Sequence, residues 1–269
     1  MFESYILPVL IFAVIGLIAG ILLTVASKVF EVKVDERTEK INEALPQANC
    51  GSCGFAGCGD YAEAIVSKGA AVNLCKPGGM PAAEKIAEIM GTKADKIIPE
   101  IAVVHCSGNC NATSKKHTFN GISSCLAAKH FYGGDGLCNY GCIGLGDCIS
   151  VCNENAISIK NGIASIDKSK CIACGKCAKI CPNSLISLRP VTKHFDVLCS
   201  SADSGKVTKA VCKNGCIGCK ICEKKCLKDA IHVINSHAVI DYSKCIGCGR
   251  CFEACPVGAI DNCEPDEIN

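Results

Sequence analysis

The feature that most restricts what this chain can fold into is a repeat of cysteines at a fixed offset of 74 residues. Cys138, Cys142, Cys148 and Cys152 return as Cys212, Cys216, Cys222 and Cys226. Cys171, Cys174, Cys177 and Cys181 return as Cys245, Cys248, Cys251 and Cys255, and Cys125 returns as Cys199. Residues between them repeat too: Ala156-Ile157 as Ala230-Ile231, Ile166-Asp167 as Ile240-Asp241, and Ser169-Lys170 as Ser243-Lys244. A chain of 269 residues with 26 Cys, no Trp and 5% aromatics does not rest on ordinary side-chain packing. Either disulfides or metal must hold it. Disulfide frameworks need no blocks of four and are rare in reducing compartments, so the pattern predicts thiolate-bound metal.

The runs Cys171-x₂-Cys174-x₂-Cys177-x₃-Cys181-Pro182 and Cys245-x₂-Cys248-x₂-Cys251-x₃-Cys255-Pro256 have the spacing of bacterial two-cluster ferredoxins, in which the fourth Cys ligates the other cluster. Cys216-x₂-Cys219-x₂-Cys222-x₃-Cys226 is the partner run, with Leu227 in place of Pro. The crossing rule groups Cys216, Cys219 and Cys222 with Cys255; Cys245, Cys248 and Cys251 with Cys226; and Cys171, Cys174 and Cys177 with Cys152. Such crossing staples distant segments around each cluster. Short apolar stretches between the halves, 156–159 with 162–166 and 230–234 with 238–240, read as hairpin strands, the first closed by Asn161-Gly162.

Leu145 stands where the repeat requires the counterpart of Cys219. The remaining group of the first unit therefore has only Cys142, Cys148 and Cys181 in standard places. Cys138 is the expected fourth ligand, and a three-iron cluster is the alternative. Cys106, Cys110, Cys125, Cys199, Cys212 and Cys263 are then left over. Cys106-x₃-Cys110-x₁₄-Cys125 could hold a further cluster with a thiolate from Cys138, Cys199 or Cys212; the bland alternative is buried free thiols packing as small hydrophobes. The expectation is five [4Fe–4S] clusters and a sixth.

Nearer the N-terminus, Cys50-Gly-Ser-Cys53-Gly-Phe-Ala-Gly-Cys58 is followed by Cys75, with a helical pattern over Tyr61 to Val66 returning the fourth ligand. Glycines beside the ligands suit the tight turns that convergence of thiolates demands. Zinc is the alternative occupant of a Cys₄ set, but it usually takes two C-x₂-C pairs, and three close ligands with one distant favour an iron–sulfur cluster. Upstream, Tyr5 to Ala26 carries no charge: 22 residues, enough for a helix of about 33 Å. A signal peptide fits poorly, because Met1 to Ser4 contains Glu3 and no basic residue. Lys28, Lys33, Arg37 and Lys40 follow the apolar run, which predicts a single-pass anchor in a bacterial cell membrane with the C-terminal domains cytoplasmic.

The predicted fold class is therefore α+β: an N-terminal transmembrane helix (1–28), a connector helix (29–45), a small α-rich four-Cys iron–sulfur domain (46–98), a Cys-containing bridging segment (99–136), two tandem ferredoxin-like units (137–190 and 191–263) and an acidic tail (264–269). No Gly-rich phosphate loop follows a strand, so no nucleotide site is expected. The six His show no ligand spacing, and a net charge of +2 gives no reason to expect nucleic acid. Locally, residues 205–251 hold nine basic residues against Glu223, Asp229 and Asp241, a surface suited to an acidic soluble ferredoxin. A corrinoid-linked methyl carrier would share the Cys50–Cys75 pattern but needs a cobalamin-binding barrel for which no length remains. A purely structural role for the clusters, or a generic membrane-anchored polyferredoxin serving another redox complex, is the remaining alternative.

Taken together, the apolar N-terminal run, the stretch Asn49-Cys50-Gly51-Ser52-Cys53-Gly54 with Cys58 and Cys75, and the ferredoxin-like motifs make the chain resemble the B subunit of the Rnf complex, an ion-translocating ferredoxin:NAD⁺ oxidoreductase. Cys138-Asn-Tyr-Gly-Cys142-Ile-Gly-Leu-Gly-Asp-Cys148 resembles clostridial-type members with extra clusters. The resemblance implies an electron-transfer role without a substrate-transforming site of its own. Electrons would come from ferredoxin, pass to membrane and peripheral subunits, and reduce NAD⁺ on another subunit. Many members carry one ferredoxin unit, so the second unit here is a departure.

Overall fold

The computed structural model describes the backbone of residues 3–29 and 35–263, with side chains at 10–26 and from 35 onward except Tyr132. Helix α1 (Glu3–Val29) is 27 residues long. Its large apolar side chains from Leu10 to Val25 are each at least half exposed. Among the described residues no helix is long and apolar enough to cross a membrane. Part of the span expected to do so, together with Lys28 and Lys33, lies outside the described side chains, as does the acidic tail from residue 264.

The first globular part is three helices: α2 (Glu36–Ala44), α3 (Cys58–Lys68) and α4 (Gly79–Met90). Asp35 caps α2 by accepting the Arg37 N–H at 2.9 Å. Ile41 and Leu45 of the expected connector are buried with Tyr61, Ala62, Ile65 and Ile86, so this stretch belongs to the core of the four-Cys domain. The Tyr61 hydroxyl donates to Ala71 O at 2.7 Å and accepts from Leu74 N–H at 3.1 Å, which fixes the chain just before Cys75.

The rest is built from four two-stranded antiparallel sheets. β1 (Glu100–Val104) pairs with β4 (Ile186–Pro190), and β2 (Ile157–Lys160) with β3 (Ile163–Ile166). In the second unit β5 (Phe195–Val197) pairs with β8 (Ile260–Asn262), and β6 (Ile231–Ile234) with β7 (His237–Ile240). The two expected hairpins turn through left-handed pairs, Asn161-Gly162 and Asn235-Ser236. Short helices α6 (Asp147–Ser150), α7 (Lys176–Ile180), α9 (Ile221–Lys225) and α10 (Arg250–Glu253) carry the cysteine runs. Helix α8 (Gly205–Val211) precedes Cys212.

The outer sheets correct the alignment read from the sequence. Val104 faces Ile186, as Val197 faces Ile260. His105 N–H donates to Leu185 O, as Leu198 N–H donates to Ala259 O. The structural counterpart of Cys199 is thus Cys106, and Cys125 is not its equivalent. The bridging segment supplies the first strand of unit 1. Between Cys106 and Cys138 it also carries an insertion of 19 residues relative to the span from Cys199 to Cys212, and this insertion includes helix α5 (Cys125–Tyr132).

The units meet across a buried ion pair. Arg189 Nε donates to Asp196 Oδ2 at 2.8 Å, with the two side chains 1% and 0% exposed. Tyr242 OH donates to the other carboxylate oxygen at 2.6 Å. Arg189 also donates to the Lys193 carbonyl, and Lys193 to that of Cys245. His105 ties the end of β1 to both units, with Nδ1 2.8 Å from Val197 O and Nε2 2.6 Å from Ser187 Oγ. This histidine, which showed no pattern in the sequence, bridges the two units.

Candidate iron–sulfur centres

All 26 cysteines are free, and the fold gathers most of them into groups of four. In the helical domain Cys50, Cys53 and Cys58 surround Cys75 closely enough to oppose its ionisation, which burial opposes first. Gly78 lets the backbone pass here: a Cβ would stand 2.6 Å from that of Ala82 and 3.1 Å from Cys75 Sγ.

Two groups follow the crossing rule around a single thiol. Cys171, Cys174 and Cys152 surround Cys177, and Cys216, Cys219 and Cys255 surround Cys222. Cys226, Cys245, Cys248 and Cys251 line one cavity. The loops curl because residues between the ligands take left-handed backbone conformations, for example Gly144 and Gly218. Each also presses on the tip of its own hairpin, where a Cβ would lie 2.4 Å from Gly162 O or 2.8 Å from Ser236 O.

Beside the group affected by Leu145 stands a cysteine that the spacing did not place there. Burial first, then Cys142 and Cys125, push the Cys148 thiol up to about 12, and both Cys125 and Cys181 oppose ionisation of Cys142. Cys125 opens α5, and Asp147 clamps that helix end: its carboxylate accepts from Ser124 Oγ at 3.0 Å, Cys125 N–H at 2.9 Å and Leu126 N–H at 3.1 Å. Asp147 immediately precedes Cys148, so the clamp sets Cys125 beside Cys148 and Cys142. The only sequence signal was the pairing of an Asp beside one Cys with a Ser-capped helix start at another.

Cys138, expected in that group, stands elsewhere. It shares a cavity with Cys106, Cys199 and Cys212 between the two units. Cys110 is exposed and lines none of the cavities that hold the other groups, and Cys263 lies against Asp196.

The donors suit an iron–sulfur core. Burial and neighbouring thiolates raise the thiols, with Cys177, Cys222 and Cys251 at about 11, so four can ionise together only around a strongly cationic core. Backbone N–H groups point at the sulfurs in a repeated pattern: Ala156 to Cys152 at 3.4 Å, Leu185 to Cys181 at 3.4 Å, Ala230 to Cys226 at 3.2 Å and Ala259 to Cys255 at 3.3 Å. Such bonds stabilise thiolate charge and tune cluster potential. Among the described residues no three His, Cys, Asp or Glu form a group that could hold a single metal ion.

Comparison with known proteins agrees. A family model for an Fe-S cluster matches residues 45–77, and a 4Fe-4S binding domain matches 164–187 and 238–261. The B subunit of the ion-translocating oxidoreductase complex of Methanosarcina acetivorans is 41% identical over 252 residues, covering 93% of this chain and 96% of its own. The B subunit of the Na⁺-translocating ferredoxin:NAD⁺ oxidoreductase complex of Acetobacterium woodii is 41% identical over 261 residues, 97% of this chain and 78% of its own. The corresponding subunit of the proton-translocating complex of Clostridium ljungdahlii is 39% identical over 262 residues, 96% and 92% of the two chains. With cysteine groups of this kind and identity sustained over nearly its whole length, the chain belongs to the family of B subunits of ion-translocating oxidoreductase complexes.

Proposed function

We propose that the chain is the iron–sulfur electron-transfer subunit of a membrane-bound ferredoxin:NAD⁺ oxidoreductase complex, taking electrons from reduced soluble ferredoxin and delivering them to the membrane subunits. The observation that carries this reading is the end-to-end order of the cysteine groups. Ala48, beside the first group, lines the same cavity as Cys152, Cys171, Cys174 and Cys177. Cys177 in turn is close enough to Cys148 to raise its thiol. At the far end Cys219 and Cys248 are exposed. A [4Fe–4S] cluster held by such a group supplies one-electron redox chemistry at a potential set by exposure and by hydrogen bonds to sulfur. The chain's part is to fix the spacing, exclude water from the inner groups and present the outer ones.

The exposed end has the features of a docking surface. Lys220, Lys224, Lys225, Lys228, Lys244 and Arg250 are exposed around it, with Ile221, Leu227 and Ile246 as apolar contacts. An acidic ferredoxin would be steered there. Reversing the charge of Lys224, Lys225 and Lys228 together is expected to slow ferredoxin oxidation about tenfold at low salt, with the difference vanishing at high salt. An unchanged rate and salt dependence would sink this docking surface. At the opposite end α1, with its exposed apolar side chains, supports membrane attachment of the four-Cys domain. The relatives couple to different ions, so the ion is not carried over from them.

The ligand of the irregular group is tested separately. Cys125→Ser is expected to remove about one iron per chain and to give a three-iron EPR signal, because Cys142, Cys148 and Cys181 then stand alone. Adding Leu145→Cys to that variant is expected to restore the iron. A three-iron signal from Cys138→Ser and none from Cys125→Ser would return the assignment to Cys138.

A further inference from the structure

The family models leave residues 78–163 and 188–237 unassigned, and the cavity between the units draws on both segments. Its four cysteines come in two equivalent pairs. Cys106 and Cys199 each follow the outer strand of a unit by two residues, and Cys138 and Cys212 are related by the repeat. The hydrogen bonds to them are equivalent as well. Cys142 N–H donates to Cys106 Sγ at 3.4 Å, and Cys216 N–H donates to Cys199. Gly108 N–H reaches Cys106, as Ser201 N–H reaches Cys199. Cys106 and Cys212 converge on Gly108, where a Cβ would stand 3.5 Å from one sulfur and 3.6 Å from the other. Main-chain bonds hold the halves together: Lys213 N–H donates to Ala112 O at 2.9 Å, Ser107 N–H to Leu198 O at 3.0 Å, and Asn214 Nδ2 to Ser107 O at 3.0 Å.

We propose that Cys106, Cys138, Cys199 and Cys212 hold a sixth [4Fe–4S] cluster, shared equally by the two ferredoxin-like units and joining their cluster pairs. The position follows from the hydrogen bonds just described. The backbone N–H of Cys142 belongs to a ligand of unit 1, that of Cys216 to a ligand of unit 2, and each points at a sulfur of the shared set. Without an occupant there, the cysteine groups form one run that ends at Cys142 and another that begins at Cys216. The opposing reading, four free thiols of which Cys106 and Cys212 are buried, leaves unexplained why the two units place equivalent backbone donors on equivalent sulfurs. The proposal rests on the iron–sulfur reading of the whole chain.

The test is iron and sulfide content, with EPR and Mössbauer spectra, of the full chain purified without oxygen. The wild type is expected to hold about 24 irons, six clusters of four. Cys106→Ser with Cys199→Ser is expected to hold about 20 and to lack one spectral component while the others persist. Cys110→Ser with Cys263→Ser, the control, is expected to keep the full set. About 20 irons in both the wild type and the Cys106/Cys199 variant, with reversible low-potential signals, would overturn the sixth site while the carrier reading stands. Zinc, or almost no iron, in the wild type would overturn both. If the double variant does not accumulate, the wild-type count decides, because about 20 irons there already excludes a sixth cluster.

Discussion

Removing iron from the purified chain is expected to unfold residues 99–263 and to spare much of the helical domain. The buried apolar side chains of the second unit are few and small: Val197, Ile231, Ala238, Ala259 and Ile260, packed around Cys216 and Cys222. The first unit is similar, with Ala102, Ile157, Ala164 and Ile186 beside Cys148 and Cys177. A buried Val or Ile contributes about 1.5–3 kcal/mol, whereas each ordered residue costs about 1–2 kcal/mol in backbone entropy alone. Cores of this size cannot offset that cost, and ligand bonds must supply the difference. The domain of α2, α3 and α4 has Ile41, Leu45, Tyr61, Ile65 and Ile86 in contact and helices that hydrogen-bond internally. Chelation with an oxidant, followed by circular dichroism and limited proteolysis, is expected to show loss of strand signal, cleavage within 99–263 and persistence of a helical fragment. An apo chain resisting proteolysis throughout would show that packing suffices and that the clusters are not needed as staples. Reconstitution should be favoured as pH rises, because the folded thiols are raised by burial and each must lose its proton to bind iron.

Arg189→Ala is expected to be among the most destabilising single substitutions outside the cysteines. It leaves Asp196, with no exposed surface, as an uncompensated charge. Breaking such a pair typically costs about 3–5 kcal/mol. Asp196→Asn should also be costly, since the single amide oxygen can accept from Tyr242 OH or from Arg189 Nε but not from both, and the buried guanidinium loses its counter-charge; Tyr242→Phe should cost about 1–3 kcal/mol for the unpaired carboxylate oxygen. Burial and the adjacent carboxylate keep the Tyr242 hydroxyl protonated far beyond its usual range, so it serves as a donor at all physiological pH. Replacing both charges, Arg189→Met with Asp196→Leu, should recover most of the loss. The readout is the denaturant midpoint at which cluster absorbance bleaches. Equal midpoints for the wild type and Arg189→Ala would mean that the pair holds nothing. The network joins β4 to β5 and reaches the chain beside Cys245, so partial loss should also loosen the setting of one unit against the other.

Much of this arrangement was legible in the sequence because thiolate spacing is a strict code. The crossed groups need only a count along the chain, and the hairpins follow from alternating apolar residues around Asn161-Gly162. Two things were hidden. The outer sheet of unit 1 pairs Glu100–Val104 with a strand more than eighty residues later, which no local pattern announces. The insertion between Cys106 and Cys138 then made the offset of 74 match Cys125 to Cys199, a coincidence of length. Once β1 and β5 are set in register, Cys106 takes that place and Cys125 falls beside Cys142 and Cys148 instead. Nearness along the chain favours Cys138, four residues before Cys142. The direction set by the Asp147 clamp, a tertiary contact, brought Cys125 instead.

The equivalence of Cys106 with Cys199 and of Cys138 with Cys212 also bears on how such a chain can be shortened. A single unit presents only half of the shared set, two thiols facing solvent with no partners. Gene truncation at either unit therefore discards more than that unit's own complement, and the exposed pair becomes a target for oxidation to a disulfide. The two units are interdependent in the manner of a homodimer written on one polypeptide: each carries half of a socket that exists only when both are present.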